Sequence, residues 1–154
     1  MTWKPHVTVA AIIEHENQFL MVEEIIDGKK VINQPAGHLE PDETIIQAVI
    51  RETLEETAHH FKPEYLVGIY QWQSPNQMDF LRFTFAGSCG LREQSRELDP
   101  DIHAATWMNI DSIRQCPATH RSPLVQTCLN DYLDGSHYPL ELLNHVISPV
   151  ADNA

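Results

Sequence analysis

The Asp27-Gly28 pair, set between FLMVEEII (19–26) and Lys29–Ile32, is the local feature that most narrows the fold. Asp-Gly tolerates the left-handed backbone of a two-residue hairpin, so the flanking runs are predicted to be paired strands. A third strand is predicted over His6–Ile13, HVTVAAII, which is β-branched and nearly continuous, with EHENQ (14–18) as the turn after it. Asn33–Glu43 is turn-rich. A helix should then start at Thr44, which with Gln47 makes a capping box, and Ile45, Ile46, Val49, Ile50 and Leu54 recur at helical spacing. Tyr65–Gln73 and Phe80–Gly87 read as two more strands around Ser74-Pro75-Asn76, and Ile102–Met108 as another. In the second of these, Leu81, Phe83 and Phe85 make a core face, and Phe80, Arg82 and Thr84 a face that carries a cation. Short helices near Asp111–Gln115 and Pro123–Tyr132 close the chain. Strands in number, with helices set apart from them, point to an α+β sandwich rather than a doubly wound parallel sheet.

Composition bounds the function. A chain of 154 residues without repeats or glycine/serine linkers is expected to be one domain, 1–154. Three cysteines, Cys89, Cys116 and Cys128, with no C-x-x-C pair, argue against a disulfide framework or a structural zinc site. No apolar run approaches the roughly 20 residues of a membrane span, and MTWKPHVTVA does not read as a signal peptide, so a cytoplasmic protein without a membrane partner is expected. Ten Lys+Arg against 22 Asp+Glu give a net charge of -12, which disfavours binding to nucleic-acid polymers. Acidic proteins still hold phosphates when divalent cations bridge carboxylates and ligand.

The most informative stretch is Arg51-Glu52-Thr53-Leu54-Glu55-Glu56. On a helix Glu52, Glu55 and Glu56 fall within an arc of about 100°, while Ile46, Val49, Ile50 and Thr53 centre about 120° further round. Glutamates on one face are usually solvated, and Arg51 with Glu55 makes an ordinary i,i+4 pair. Yet like charges at this spacing repel, and a hard divalent ion is what such a cluster suits. Upstream, Gly37 and Glu43 complete the spacing G-x5-E-x7-R-E-x2-E-E. A glycine lets backbone approach a ligand, and Glu43 can reach Arg51 to hold the loop against the helix.

Residues Gly37–His59 resemble the Nudix box, the signature of a family that hydrolyses nucleoside diphosphates linked to another group. Ala58 stands where the family has its second glycine, and Thr53 and His59 occupy flanking apolar positions. Alanine accepts the left-handed conformation of a helix end only at about 1 kcal/mol, so the helix is expected to run on through His59 and His60 toward Pro63. KPHVTVA, NQPAGHLEPDET, Gln71-Trp72, FLRFTFA, RSPLV and YPLE are similar to one bacterial subgroup, the NudJ-type phosphatases. The resemblance implies a Nudix-like α/β/α sandwich with a mixed sheet and the box helix on one side. It also implies hydrolysis of nucleoside di- and triphosphates and of the thiamine-pathway pyrimidine pyrophosphate. The alternative is a Nudix-fold nucleotide-binding or regulatory domain that no longer cleaves.

The implied chemistry needs Mg²⁺, with Mn²⁺ as the alternative, a water nucleophile and a small phosphorylated substrate bound by what is expected to be a monomer. The expected metal set is Glu52, Glu55, Glu56, the Gly37 carbonyl and Asp101, an acid six residues before Trp107. Glu52 and Glu55 are the expected catalytic carboxylates, Glu52 as candidate base, with Arg51 and Glu43 as an orienting pair. Arg82 is the candidate phosphate clamp, with Phe80 and Trp72 as ring platforms, although half-buried aromatics more often serve the core.

Overall fold

In a computed structural model describing residues 2–151, the hairpin positions behave as their sequence requires. Glu16-Asn17 and Asp27-Gly28 all adopt positive φ, which closes β1 (His6–His15) onto β2 (Gln18–Ile26) and β2 onto β3 (Lys29–Asn33). The segment read as wholly turn-like contains a further strand, β4 (Ala36–His38), paired with β1 through Val9 and Gly37. After α1 (Ile45–Thr57) come β5 (Phe61–Gln73), β6 (Asp79–Cys89) and β7 (Ala104–Asn109). The helices α2 (Ile110–Gln115) and α3 (Leu124–Leu133) follow, with 3-10 turns at Pro117–Thr119 and Leu140–Leu142.

The sheet is mixed, in the order β3-β2-β1-β6-β5, with β4 paired to β1 and β7 to β2. β1 runs parallel to β6 along eight residues, and the other pairings are antiparallel. β1 meets β2 only at its far end, Glu14 and His15, so the two halves of the sheet diverge along most of its length. The continuous apolar run of β1 follows from burial on both faces. Val9, Ala11 and Ile13 pack with Ala48, Val49 and Phe85 beneath α1. Ile12 packs on the opposite face with Val125, Cys128 and Leu129 of α3. The result is the expected α/β/α sandwich, and among the described residues no helix is long and apolar enough to cross a membrane.

Three local expectations are corrected. The helix does not run on toward Pro63: Ala58 caps α1 in the left-handed region at φ 60°, His59 and His60 lie outside it, and Pro63 sits inside β5. The cap keeps the helical bond from the Ala58 N–H to Leu54 O, and one tertiary bond holds it in place, since the Ala58 carbonyl accepts from Glu93 N–H. The buried face of α1 is also rotated, comprising Ala48, Val49, Glu52, Thr53, Glu56 and Thr57, whereas Ile46 and Ile50 are only half-buried. Helix and sheet thus enclose two of the glutamates. Finally, the face of β6 that carries the cation is core as well, because α3 covers it and both Arg82 and Thr84 are buried.

Candidate active site

The capping box that starts α1 is complete: Thr44 Oγ1 accepts from Gln47 N–H at 3.0 Å, and Gln47 Oε1 accepts from Thr44 N–H at 2.9 Å. Further along the same helix, Arg51 ties it to the loop before it. Its Nε and Nη2 donate to Glu43 Oε2 at 2.9 Å and Oε1 at 2.8 Å. Nη1 donates to Glu52 Oε1 at 2.8 Å and Glu55 Oε2 at 3.2 Å, and Nη2 also donates to the His38 carbonyl at 3.0 Å. A guanidinium has five N–H donors, and all five are used. Arg51 therefore has none left for a substrate and acts as an orienting group. The bonds to Arg51 hold the Glu43 carboxyl below the usual range, and the surrounding carboxylates raise the Arg51 pKa.

Glu52, so oriented, meets Glu56 and Asp99, and carboxylate oxygens of these three residues lie within 4.8 Å of one another. Gly37 is needed because a Cβ at that position would overlap the Glu52 carboxylate. It lies in a strand rather than in a tight turn. Glu56, 7% exposed, accepts a hydrogen bond from Ala36 N–H at 2.8 Å. Burial, reinforced by Glu52, Glu24 and Asp99, pushes its carboxyl up to about 9 despite that bond. Burial likewise raises Glu52, partly offset by Arg51. Glu55 stands apart, 42% exposed at its side chain and turned to Arg51.

The fourth carboxylate expected of the cluster, Asp101, lines the same cavity but is exposed, and Asp99 occupies the cluster instead. Asp99 arrives on a loop hung from the end of α1, its N–H donating to Glu55 O at 2.9 Å. Side-chain pattern carries no trace of that backbone bond, and three acids in ELDPD cannot be ranked by spacing alone.

The cluster borders a cavity of about 450 Å³ opening where the two halves of the sheet separate. The cavity brings Glu52, Glu56, Gly37 and Asp101 together with Arg82, Trp72 and Phe80. Trp72 and Phe80 are cross-strand partners stacked at 5.3 Å with planes 25° apart. Asn33, His38, Glu24 and Arg121, none of them in the expected set, also line it. His6 stands beside Phe80 at 5.3 Å, and desolvation, aided by His6, lowers the His38 pKa. A neighbouring cavity of about 540 Å³ shares Glu24, Asp101 and Arg121 but none of the three clustered carboxylates. The clustered carboxylates border the first cavity and not the second. Carboxylates held this close repel unless a cation or a proton lies between them, and hard divalent ions prefer oxygen donors of this kind. The donor set therefore fits a divalent cation.

A family model for the NUDIX domain matches residues 4–127. The phosphatase NudJ of Escherichia coli strain K12 is 43% identical over 141 residues, covering 92% of this chain and 92% of that protein. NudJ of Shigella flexneri matches to the same extent. A NUDIX hydrolase from Nitrosomonas europaea superposes with a TM-score of 0.90 at 52% identity, covering 93% of this chain and 98% of its own. With the box residues in place around a buried carboxylate cluster, and with likeness along nearly its whole length, the chain belongs to the Nudix hydrolase family and is a phosphohydrolase.

Proposed function

We propose that this phosphohydrolase cleaves phosphoanhydride bonds of nucleoside di- and triphosphates and of the thiamine-pathway pyrimidine pyrophosphate, with Mg²⁺ as the cation and Mn²⁺ as the alternative. The observation that carries the reading is the convergence of Glu52, Glu56 and Asp99 within 4.8 Å at the wall of a cavity large enough for a small phosphorylated molecule. These three would hold the cation, with Glu55 and the Gly37 carbonyl completing the donor set and Asp101 on its outer side. When bound, the cation polarises phosphoryl oxygens and acidifies water.

The chain's own residues supply position and proton transfer. Glu43 and Arg51 fix the rotamer of Glu52, and a pre-aimed carboxylate costs no reorganisation during reaction. Glu52 Oε1 is engaged by Arg51 while Oε2 accepts no hydrogen bond among the described residues, leaving an acceptor for the proton of an attacking water. Arg82 is assigned to a substrate anion and the Trp72–Phe80 stack to the ring of a base or pyrimidine. The net charge of -12 fits a small-molecule substrate better than a nucleic-acid polymer.

A non-catalytic domain would have no need of three mutually repelling carboxylates, two of them buried. A phosphate-release screen over nucleotides and pyrimidine pyrophosphates, with Mg²⁺ and with EDTA, tests the proposal. Release that depends on the cation is expected, and no release from any of these compounds would overturn it.

A further inference from the structure

Of the arginines at the site, Arg51 beside the carboxylate cluster and Arg82 in the cavity wall are bonded in opposite ways, while Arg121, also in the wall, pairs with Glu24. Arg51 is saturated and surrounded by carboxylates. Arg82, in the interior strand β6, is only 5% exposed, yet no carboxylate among the described residues lies within ion-pair distance of it. Its partners are neutral: Nη1 donates to Gln34 Oε1 at 3.2 Å and weakly to Cys128 Sγ at 3.9 Å, and Nη2 donates to Asn33 Oδ1 at 3.2 Å. Two of its five N–H groups, Nε–H among them, have no acceptor among the described residues. A buried cation without a counter-charge is costly, and a carboxylate at either amide position would relieve that cost.

Those positions are occupied by Asn33 and Gln34. Gln34 is 1% exposed and cannot turn away, because its Nε2 donates to Val125 O at 2.9 Å and binds the end of β3 to α3. Its Oε1 thereby faces Arg82. Asn33, at the last residue of β3, lines the cavity on the other side of the guanidinium. Both amides fix the direction of the guanidinium without neutralising it.

We infer that Asn33 and Gln34 are positioning residues that hold Arg82 in the cavity wall and, by being amides and not acids, reserve its charge for a phosphate of the substrate. The inference rests on the proposed hydrolase reading and adds the residues that decide how strongly the substrate anion is held.

Asn33→Asp tests it, since the acid preserves shape and acceptor while placing a carboxylate against Nη2. With a nucleoside diphosphate or triphosphate that the wild type hydrolyses, KM should rise about 10- to 100-fold with kcat within about threefold, the scale of a lost charged hydrogen bond. The melting temperature should not fall, because the buried cation gains a partner. Inorganic phosphate in EDTA should raise the melting temperature of the wild type and not that of the variant. In an Arg82→Gln background the same change at Asn33 should leave KM within about threefold, as expected when two residues act through one another. A KM within about threefold of wild type, or an equal rise in the Arg82→Gln background, would overturn the inference. In the second case the introduced carboxylate would merely repel phosphate at long range. Should Asn33→Asp fail to fold, Gln34→Glu is read by the same measurements. A wild type that hydrolyses nothing refutes the hydrolase reading, while the phosphate melts still decide this one.

Discussion

Replacing Glu56 by glutamine separates what the carboxylate contributes to function from what it costs the fold. Burial and three neighbouring acids push its carboxyl up to about 9, from an ordinary value of 4.5. Without a cation the folded protein keeps this proton to about pH 9, whereas the unfolded chain releases it near 4.5, so between those values the native state binds more protons. Stability then falls as pH rises through the window, by up to about 1.4 kcal/mol per pH unit and about 3 kcal/mol by pH 7. Glutamine retains an oxygen for the Ala36 N–H, 2.8 Å away in the native protein, and has no such proton to lose. In EDTA near pH 7, Glu56→Gln should therefore melt about 6–12 °C above wild type, at about 2–4 °C per kcal/mol for a domain of this size. The gap should close toward about pH 5 and widen toward about pH 8.5. Mg²⁺ should narrow that gap, because a wild type that binds it gains about 2.7 kcal/mol at a hundredfold excess over Kd while the variant gains less. The variant's kcat should fall by orders of magnitude. Melts at three pH values with EDTA and with Mg²⁺ decide the matter. Parallel pH profiles for the two proteins, or equal gains from Mg²⁺, would refute the reasoning.

Gly37→Ala should cost at least about 100-fold in kcat/KM, since the new methyl displaces Glu52 and misplacement alone has that effect; circular dichroism and kinetics together distinguish this from unfolding. Arg51→Lys offers three donors where five are used, so kcat should fall and stability drop by about 1–3 kcal/mol, read by turnover and denaturant melts. Asp99→Asn should abolish most of the Mg²⁺-dependent rise in melting temperature whereas Asp101→Asn leaves most of it, because only Asp99 reaches the cluster. Arg82→Ala should lower kcat/KM by about 1.5–3 kcal/mol, and a loss under about 1 kcal/mol would assign it to structure alone.

The parts of the fold legible from sequence are those in which local chemistry and long-range packing agree. Asp27-Gly28, the Thr44–Gln47 capping box and the β-branched run of β1 each specify their own conformation, and each is found as expected. β4 is not legible because three residues, one of them glycine, carry no alternation; only pairing with β1 makes them a strand. The buried side of α1 is hidden from sequence for a related reason. A helical wheel assigns carboxylates to solvent, and here they are enclosed because the loops around them form a cavity. The orienting pair of Glu43 and Arg51 can be read from spacing, since both lie near one helix and one loop. Asn33, Gln34 and Asp99 cannot, because their significance lies in what a distant strand or helix end places against them.

The helix end at Ala58 bears on which parts of the molecule can vary. The last turn of any helix leaves carbonyls without partners. Here Glu55 O and Ala58 O receive the backbone N–H groups of Asp99 and Glu93, so the terminus of α1 serves as the hanger for the loop that carries the acid. Main-chain groups form both hooks, and every residue except proline owns such a group. The side chains between them, from Gln94 to Leu98, form neither hook, although Arg96 donates to the Glu93 carboxylate at 2.7 Å. The exposed positions of this stretch, Gln94, Ser95 and Glu97, can change in sequence or alter surface charge while the carboxylate stays in place, whereas proline at 93 or 99 would unhook the loop at one stroke.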